Sequence, residues 1–458
     1  MTLSGLVDLA CTDSGLARAL ERARADQEVV APAALWPVLA AALSRALRAG
    51  GGGTVLAVTA TGREAEDLTA ALSSLLDPAR VAHFPAWETL PHEKLSPRSD
   101  TVGQRLAVLR RLAHPDAVQP GGDGKGGALD VVVTPVRAVL QPIVAGLADL
   151  EPVRLASGED ADLDGTVRSL VDAGYHRVDL VEKRGEIAVR GGILDVFPPT
   201  EEHPLRVEFW GDTVEEIRYF KAADQRSLEV AQGGLWAPPC RELPLTEKVR
   251  ERAKLLAGRH PALEEILGRI ADGDTVEGME AFSPVLADRM ELVTDLLPDG
   301  SALLVCEPER IRTRSVELVR TSQEFLEASW VNAAAGGEAP IDLGAAAFRS
   351  LEEVREHSNE LGLPRWTVTA LNPLTASEAG AGGTEASSPL EDAGGALSLG
   401  AAPAEAYRGD TSRVVGDLKG WIEAGWRVVM VTAGHGPAER LVQLVGEEGL
   451  GARRADLA

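Results

Sequence analysis

One short run of the sequence places an arginine and a tryptophan on the same side of a predicted strand. From Leu205 to Trp210, apolar and polar residues alternate, and successive side chains of a strand point to opposite faces. The three apolar residues therefore form one face, and Arg206 and Trp210 lie on the other. A large aromatic residue near an arginine is typical of a protein-binding hot spot.

The same two residues have a plainer structural interpretation. Trp210 would cover the edge of the sheet, and Arg206 would pair with a nearby carboxylate. Spacing alone favours this interpretation, because single exposed aromatic residues are common on protein surfaces. The run by itself leaves both hypotheses open, a docking face and an ordinary sheet surface.

Motifs for catalysis or metal binding are not found in the sequence. The three cysteines, Cys11, Cys240 and Cys306, are far apart and form no C-x-x-C pair, which argues against a zinc ribbon or a disulfide framework. The eight histidines include no H-E-x-x-H, and no G-x-S-x-G nucleophile elbow is present. We therefore predict no catalytic, metal-binding or cofactor-binding residues.

The run belongs to a longer stretch, Gly174–Phe220, that predicts a compact antiparallel sheet. Short apolar runs such as Val178–Val181 and Ile193–Phe197 are separated by turn residues. Gly211 marks the turn after the alternating run, and a further apolar run returns the chain. The predicted sheet thus carries Arg206 and Trp210 on its second face.

Outside this stretch, short buried runs alternate with helical patterns, which is typical of a parallel α/β sheet. Thr375–Ala402 is rich in Gly, Ala, Ser and Glu, and we predict that it is disordered. The other predicted strands include Val55–Thr59, Val81–Phe84, Val131–Thr134, Ala302–Cys306, Trp366–Leu371 and a buried Trp426–Thr432.

Composition limits the class of protein. A chain of 458 residues suggests about three domains. The net charge of −24 argues against a broad phosphate-binding surface. The N-terminus lacks the pattern of a signal peptide, and the uncharged run Val29–Ser44 is shorter than the roughly 20 residues that span a bilayer. We expect a soluble, cytoplasmic protein without a membrane partner.

Several segments of the predicted sheet resemble a known family. They resemble the second domain shared by the nucleotide-excision-repair helicase UvrB and the transcription-repair coupling factor (Mfd), in which it is the docking surface for UvrA, the damage-recognition ATPase. By motif position, the resemblance implies that Arg190, Arg206 and Trp210 bind UvrA. Trp210 stands where some relatives have phenylalanine. The segments that carry the resemblance are Gly174-Tyr175, Arg190–Pro198, Arg206–Arg218 and Asp224–Glu229.

A second region, Phe84–Leu112, is similar to the coupling factor and only loosely to UvrB. It contains the sequence WETLP, which includes Trp87, and an SP-x-SD piece. We therefore identify the chain with the N-terminal UvrB-like region of the coupling factor plus the small domain that follows. Ser99 or Asp100 is predicted to cap the helix of this region, and no chemistry is assigned to Trp87.

The resemblance implies an α/β fold with a degenerate helicase-like parallel-sheet domain, an inserted mainly antiparallel β-rich domain, and then a small α/β domain. The predicted divisions are residues 1–150 (UvrB-like domain 1a, a degenerate P-loop NTPase fold), 151–240 (the UvrA-docking domain 2), 241–332 (domain 1b, which completes the first domain) and 333–458 (a linker and a small α/β domain 3).

The nucleotide site of UvrB has no counterpart among these residues. A phosphate loop needs G-x-x-x-x-G-K-[ST], but the matching position, Val29–Ala42, has no lysine and carries Pro32 and Pro37. Pro135-Val136 stands where the acidic magnesium-binding pair is expected. We predict no cofactor in this stretch; ATP and Mg²⁺ would serve the motor of the full-length family.

The resemblance implies a non-catalytic recruitment module. In this family, the complete protein recognises RNA polymerase stalled at a DNA lesion, displaces it with an ATP-driven double-stranded DNA translocase, and recruits UvrA. The regions that bind polymerase and DNA would lie beyond Ala458. Two alternatives stay open: a UvrB-like ATP-dependent DNA-binding repair protein, and an autoinhibitory clamp for the absent motor.

Overall fold

A computed structural model describes residues 3–90, 93, 95–116, 127–334, 348–370, 396–399, 401–402, 406–432 and 434–454. Its strands are β1 (Gln27–Val30), β2 (Val55–Thr59), β3 (Val81–His83), β4 (Val131–Pro135), β5 (Ile143–Val144), β6 (Val153–Leu155), β7 (His176–Arg177), β8 (Glu186–Arg190), β9 (Ile193–Val196), β10 (Leu205–Trp210), β11 (Thr213–Phe220), β12 (Ser227–Val230), β13 (Leu235–Ala237), β14 (Met290–Glu291), β15 (Ala302–Cys306), β16 (Arg365–Thr369) and β17 (Ala396–Ser398).

Helices alternate with these strands outside the segment that runs from β7 to β13. The α-helices in the described residues are α1 (Ser4–Ala10), α2 (Ser14–Glu21), α3 (Trp36–Ala49), α4 (Gly62–Leu75), α5 (Ser99–Ala113), α6 (Val136–Leu140), α7 (Leu163–Asp172), α8 (Glu247–Ala257), α9 (Glu264–Asp272), α10 (Ser283–Leu286), α11 (Pro308–Ala334), α12 (Leu351–Glu360), α13 (Thr411–Glu423) and α14 (His435–Glu447).

Seven parallel strands form the larger sheet, in the order β17-β1-β16-β15-β2-β4-β3. Side chains of β2 alternate between two cores: Val55 and Ala57 pack with α1 to α4, whereas Leu56 and Val58 pack with α5, α6 and α11. Strands buried on both faces need apolar residues throughout, and β2 and β4 are buried at every position. The predicted α/β class with a parallel sheet is confirmed.

The last third of the chain contributes to this first sheet. Residues 333–458 are predicted to form a linker and a separate domain, but β16 pairs with β15 and β1, and β17 pairs with β1. Trp366 and Val368 of β16 are completely buried in the core that α3 and α4 cover. Parallel neighbours need long crossover connections, so distance along the sequence conceals their pairing. β16 and β17, which lie within residues 333–458, therefore belong to the larger sheet, while the limits of the predicted division stay a prediction.

Two other predictions for the last third also need correction. Trp426–Thr432 is predicted to be a buried strand, but it joins no sheet among the described residues, and Trp426 is 68% exposed. An apolar run predicts a strand only where a partner strand exists to pair with it. Within the predicted disordered stretch, β17 is a strand, while residues 375–395 lie outside the described residues.

The smaller sheet contains Arg206 and Trp210. Its order is β12-β11-β10-β9-β8-β7, antiparallel except for the parallel pair β7 and β8. Val178–Val181 is predicted to be a strand of this sheet, but the ladder includes only His176–Arg177. Val181 is instead completely buried against Phe197 and Phe220. The segment therefore covers part of one sheet face because its apolar side chains pack there.

Trp87 helps to join the two sheets. Its Nε1 donates a hydrogen bond to Glu242 Oε1 (3.0 Å), and Arg105 of α5 donates to the two oxygens of the same carboxylate (2.6 and 3.2 Å). The Arg105 guanidinium also lies over the Phe84 ring, 4.3 Å from its centre. Arg105 and Glu242 are completely buried, so this ion pair fixes the chain just after β13, the strand that pairs with β6.

The SP-x-SD sequence of the same region lies beside this ion pair. Ser96 Oγ donates to Glu280 Oε2 (2.6 Å), and Arg241 Nη1 donates to Glu280 Oε1 (3.1 Å). Burial raises the pKa of the Glu280 carboxyl. The predicted cap of α5 by Ser99 or Asp100 is wrong: α5 begins at Ser99, and Arg98 is the N-cap residue without a side-chain cap bond.

Candidate protein-docking face

The alternation predicted for β10 is present in the structure. Leu205, Val207 and Phe209 are buried in the core of the smaller sheet, while Trp210 is 81% exposed. Arg206 lies on the same face as Trp210, four residues away along the strand. The exposure of Trp210 agrees with either hypothesis about this strand, so the neighbouring residues of the face decide what it can do.

Asp195 connects the two predicted arginines. It is the register partner of Arg206 across β9 and β10, and its side chain is only 1% exposed. Arg206 donates to it through Nε (2.7 Å, to Oδ1) and Nη2 (2.9 Å, to Oδ2), and Arg190 Nη2 donates to Oδ2 (2.5 Å). One buried carboxylate therefore holds both guanidinium groups.

Arg206 is more constrained than Arg190. Its side chain is 15% exposed, against 48% for Arg190, and its guanidinium carbon lies 4.6 Å from the centre of the Phe220 ring. The hydrogen bonds to Asp195 raise the pKa of Arg206 above its usual value. The structural interpretation, that Arg206 pairs with a carboxylate, is thus correct. The Nε and Nη2 groups of Arg206 already donate to Asp195.

Register orders the side chains of this sheet face into rows across the strands. Arg190, Ile193, Glu208 and Glu216 form one row, since each is paired with the next across neighbouring strands. Asp195 and Arg206 lie in the next row, and beyond them Phe197 and Phe220 are covered by the segment that contains Val181. We call the uncovered part, which consists of Arg190, Ile193, Asp195, Arg206, Glu208 and Trp210, the docking face.

Two tight turns place Arg190 and Trp210 at the same end of the sheet. Gly191, in the turn between β8 and β9, has a φ of +60°, and Gly211, after Trp210, has a φ of +62°, values that favour glycine. A Cβ on Gly192 would lie 2.9 Å from the carbonyl oxygen of Phe209, and the Phe209 N–H donates to the Gly192 carbonyl (2.8 Å). Arg190 and Trp210 therefore lie at the same end of the sheet.

Sequence reasoning missed Asp195 and Ile193 as members of this face. Both belong to the run Ile193–Phe197, which is apolar except for its central aspartate. A carboxylate in the middle of a buried strand needs charged partners, and that requirement was the available signal. The residues that supply the partners, Arg190 and Arg206, were already candidates for other reasons.

The loop after β1 stands at the position that corresponds to the phosphate loop of UvrB. Pro32 and Pro37 have no backbone N–H to offer a phosphate group. The Trp36 Nε1 donates to the carbonyl oxygen of Ala31 (3.1 Å), so the indole folds back against the loop. Two residues of this loop therefore lack the backbone N–H that a phosphate cradle uses.

Comparison with known proteins gives this face a context. Residues 153–235 match the family model of the UvrB interaction domain. This range contains β6 to β12, together with the whole docking face. It lies within the predicted domain of residues 151–240, whose exact limits stay a prediction.

Relatives match nearly the whole chain. It is 45% identical to the transcription-repair-coupling factor of Mycobacterium tuberculosis over 97% of this chain and 35% of that protein. It is 36% identical to the factor of Myxococcus xanthus over 50% of this chain and 19% of that protein, and 28% identical to the factor of Bacillus subtilis over 57% and 23%.

The chain spans about a third of the length of the most similar of these relatives. Among the residues that the structure describes, no helix has both the length and the apolar character needed to cross a membrane. Over nearly its whole length, this chain is related in sequence to part of the transcription-repair-coupling factors, and it contains a UvrB interaction domain.

Proposed function

We propose that this chain is the N-terminal UvrA-recruiting module of a transcription-repair coupling factor. The observation that carries the proposal is an exposed Trp210 beside an ordered arginine pair, within the UvrB interaction domain. Recruitment of UvrA to RNA polymerase stalled at a lesion would be its contribution to transcription-coupled nucleotide excision repair in the cytoplasm. Polymerase and double-stranded DNA would bind other parts of the complete protein.

The chemistry of the docking face supports a protein partner. Trp210 offers a large apolar area that is lost from water on binding, and residues of this type dominate hot spots. Arg190 is half exposed and can donate charge-assisted hydrogen bonds to a carboxylate. We therefore expect a partner surface with an apolar pocket for Trp210 and an acidic group near Arg190.

We propose further that these residues hydrolyse no ATP. The loop after β1 lacks the lysine that reaches the terminal phosphates. The alternative of a UvrB-like ATP-dependent DNA-binding protein requires that lysine, and steady hydrolysis of ATP by the purified chain would support it. An autoinhibitory clamp is the other alternative, and it predicts weaker UvrA binding in the full-length protein than in this chain.

Titration calorimetry of this chain with UvrA of the same organism tests the proposal. Trp210→Ala is expected to lower the affinity by at least about 1 kcal/mol of binding free energy, because the apolar anchor is lost. Trp426→Ala is the matched control, since Trp426 is also exposed but lies far along the chain, outside the smaller sheet. No binding by the parent chain, or equal affinities for all three proteins, would reject the proposal.

Arg206→Ala alone is a poorer test of docking. Removing Arg206 takes away both the bidentate partner of the buried Asp195 and the group that stacks on Phe220. A loss of UvrA affinity in that variant could therefore come from a disturbed sheet. Replacing Trp210 should disturb the sheet less, because most of its side chain is in solvent.

A further inference from the structure

The docking face contains a carboxylate that contributes little surface of its own. Asp195 is 1% exposed, so a partner that lies on the face reaches Arg190 and Trp210 before it reaches this side chain. Its three hydrogen bonds, all to guanidinium groups that line the face, satisfy both of its oxygens. Its effect on a partner must therefore pass through the two arginines.

We propose that Asp195 is a positioning residue for docking, which fixes the guanidinium groups of Arg190 and Arg206 before the partner arrives. The inference rests on the proposed function, because it concerns the same face. A long arginine side chain loses conformational freedom when it binds, and ordering it in advance lowers that cost. The buried, bidentate contact with Arg206 and the shared contact with Arg190 supply this order.

The geometry gives the two arginines different roles. Arg206 uses Nε and Nη2 on Asp195 and stacks on Phe220, so it acts chiefly as a support. Arg190 uses only Nη2 on Asp195 within the described residues, and about half of its side chain is exposed. Its Nε and Nη1 groups are left for a carboxylate of the partner. Asp195 therefore acts on UvrA binding mainly by orienting Arg190.

Asp195→Asn tests this inference in calorimetric titrations of the whole chain with UvrA. The amide keeps the size of the side chain but removes the charge that holds both guanidinium groups. We expect about tenfold weaker binding, a loss in the range of interface residues that contribute measurably to affinity. In the Arg190→Ala background, the same substitution should weaken binding much less, because the residue through which Asp195 acts is gone.

A purely structural role for Asp195 predicts a different pattern. The thermal midpoint would fall, but the affinity of the folded chain for UvrA would stay the same, or the losses of Asp195→Asn and Arg190→Ala would add fully. Either result would overturn the inference. If the parent chain binds UvrA and Trp210→Ala weakens binding while Asp195→Asn does not, the proposed function stands and only this inference fails.

Arg190→Lys tests the inference if the Asp195→Asn variant does not fold. A lysine can still neutralise Asp195, so the fold should be preserved, but its ammonium is a point charge without the fork of a guanidinium. We expect the thermal midpoint of the parent and about tenfold weaker UvrA binding. Parental affinity in the lysine variant would overturn the inference, because orientation of the fork would then be irrelevant. A parent chain that does not bind UvrA would overturn both proposals together.

Discussion

At the scale of single residues, Asp195 and Arg206 form the costliest pair of the docking face to break. A buried carboxylate is stable only while charged or hydrogen-bonding partners surround it. Two of the three hydrogen bonds of Asp195 come from Arg206, whose side chain is itself mostly buried. Arg190 supplies the third bond from a much more exposed position.

We predict that Arg206→Ala lowers the free energy of unfolding by about 2 kcal/mol, because Asp195 stays buried with only the hydrogen bond from Arg190. Urea unfolding followed by circular dichroism measures the change. Arg218→Ala is the control, because Arg218 pairs with Glu216 in an exposed ion pair on the neighbouring strand, and such pairs contribute little. Equal losses of unfolding free energy in the two variants would contradict the prediction that the buried Asp195 depends on Arg206.

At the scale of secondary-structure elements, the junction between the sheets contains one completely buried ion pair. Arg105 lies on α5, which packs beside the larger sheet, whereas Glu242 follows β13, a short strand that pairs with β6 after the chain has left the smaller sheet. Close packing of α5 against this region adds to the junction: a Cβ on Gly103 would lie 2.5 Å from the Cβ of Pro199. Contacts of this kind hold the docking face at a fixed orientation to the larger sheet.

We predict that Glu242→Ala destabilises the protein by about 3–5 kcal/mol, because it leaves the guanidinium of Arg105 buried without a counter-charge. Trp87→Phe should cost only about 1 kcal/mol, since it removes one hydrogen bond to the same carboxylate. Urea unfolding measures both. Glu317→Ala, which breaks an exposed ion pair with Arg314 on α11, should have almost no effect, and a similar value for Glu242→Ala would refute the prediction.

This junction shows what the sequence could and could not predict about these elements. The resemblance in Phe84–Leu112 singled out Trp87, but its partner Glu242 is 155 residues away, and no local pattern connects the two. Strand alternation, by contrast, is a local property, and it correctly predicted which residues of β10 face the core. The location of Arg206 and Trp210 on one face was therefore predictable, while the partner Asp195 was not foreseen.

At the scale of the whole molecule, the first and last thirds of the chain build one sheet. β1 lies between β16 and β17, and Gln27 is the register partner of Trp366. The intervening residues include the entire smaller sheet, so that sheet is an insertion between β4 and β15 of the larger one. Loss of β16 would separate β1 from β15 and break the sheet in two.

We predict that Trp366→Ala destabilises the larger sheet as a unit, by about 3–5 kcal/mol, the usual cost of removing a buried tryptophan. Trp366 is completely buried among residues of the core that includes β1, β2 and β15, and its Nε1 donates to the carbonyl of Ala23. Hydrogen exchange should therefore accelerate at amides of β1 and β15 as well as β16. Urea unfolding gives the magnitude of the loss.

Trp421→Ala is the matched control for the sheet prediction, because Trp421 lies on α13 and is partly exposed. It should leave exchange in β1 and β15 at the parental rate. If residues 333–458 were an independent domain, Trp366→Ala would accelerate exchange only after β15, and the amides of β1 would keep their protection. Faster hydrogen exchange confined to the residues after β15 would therefore disprove a shared sheet. Faster exchange in β1 as well would place the two ends of the chain in one cooperative unit.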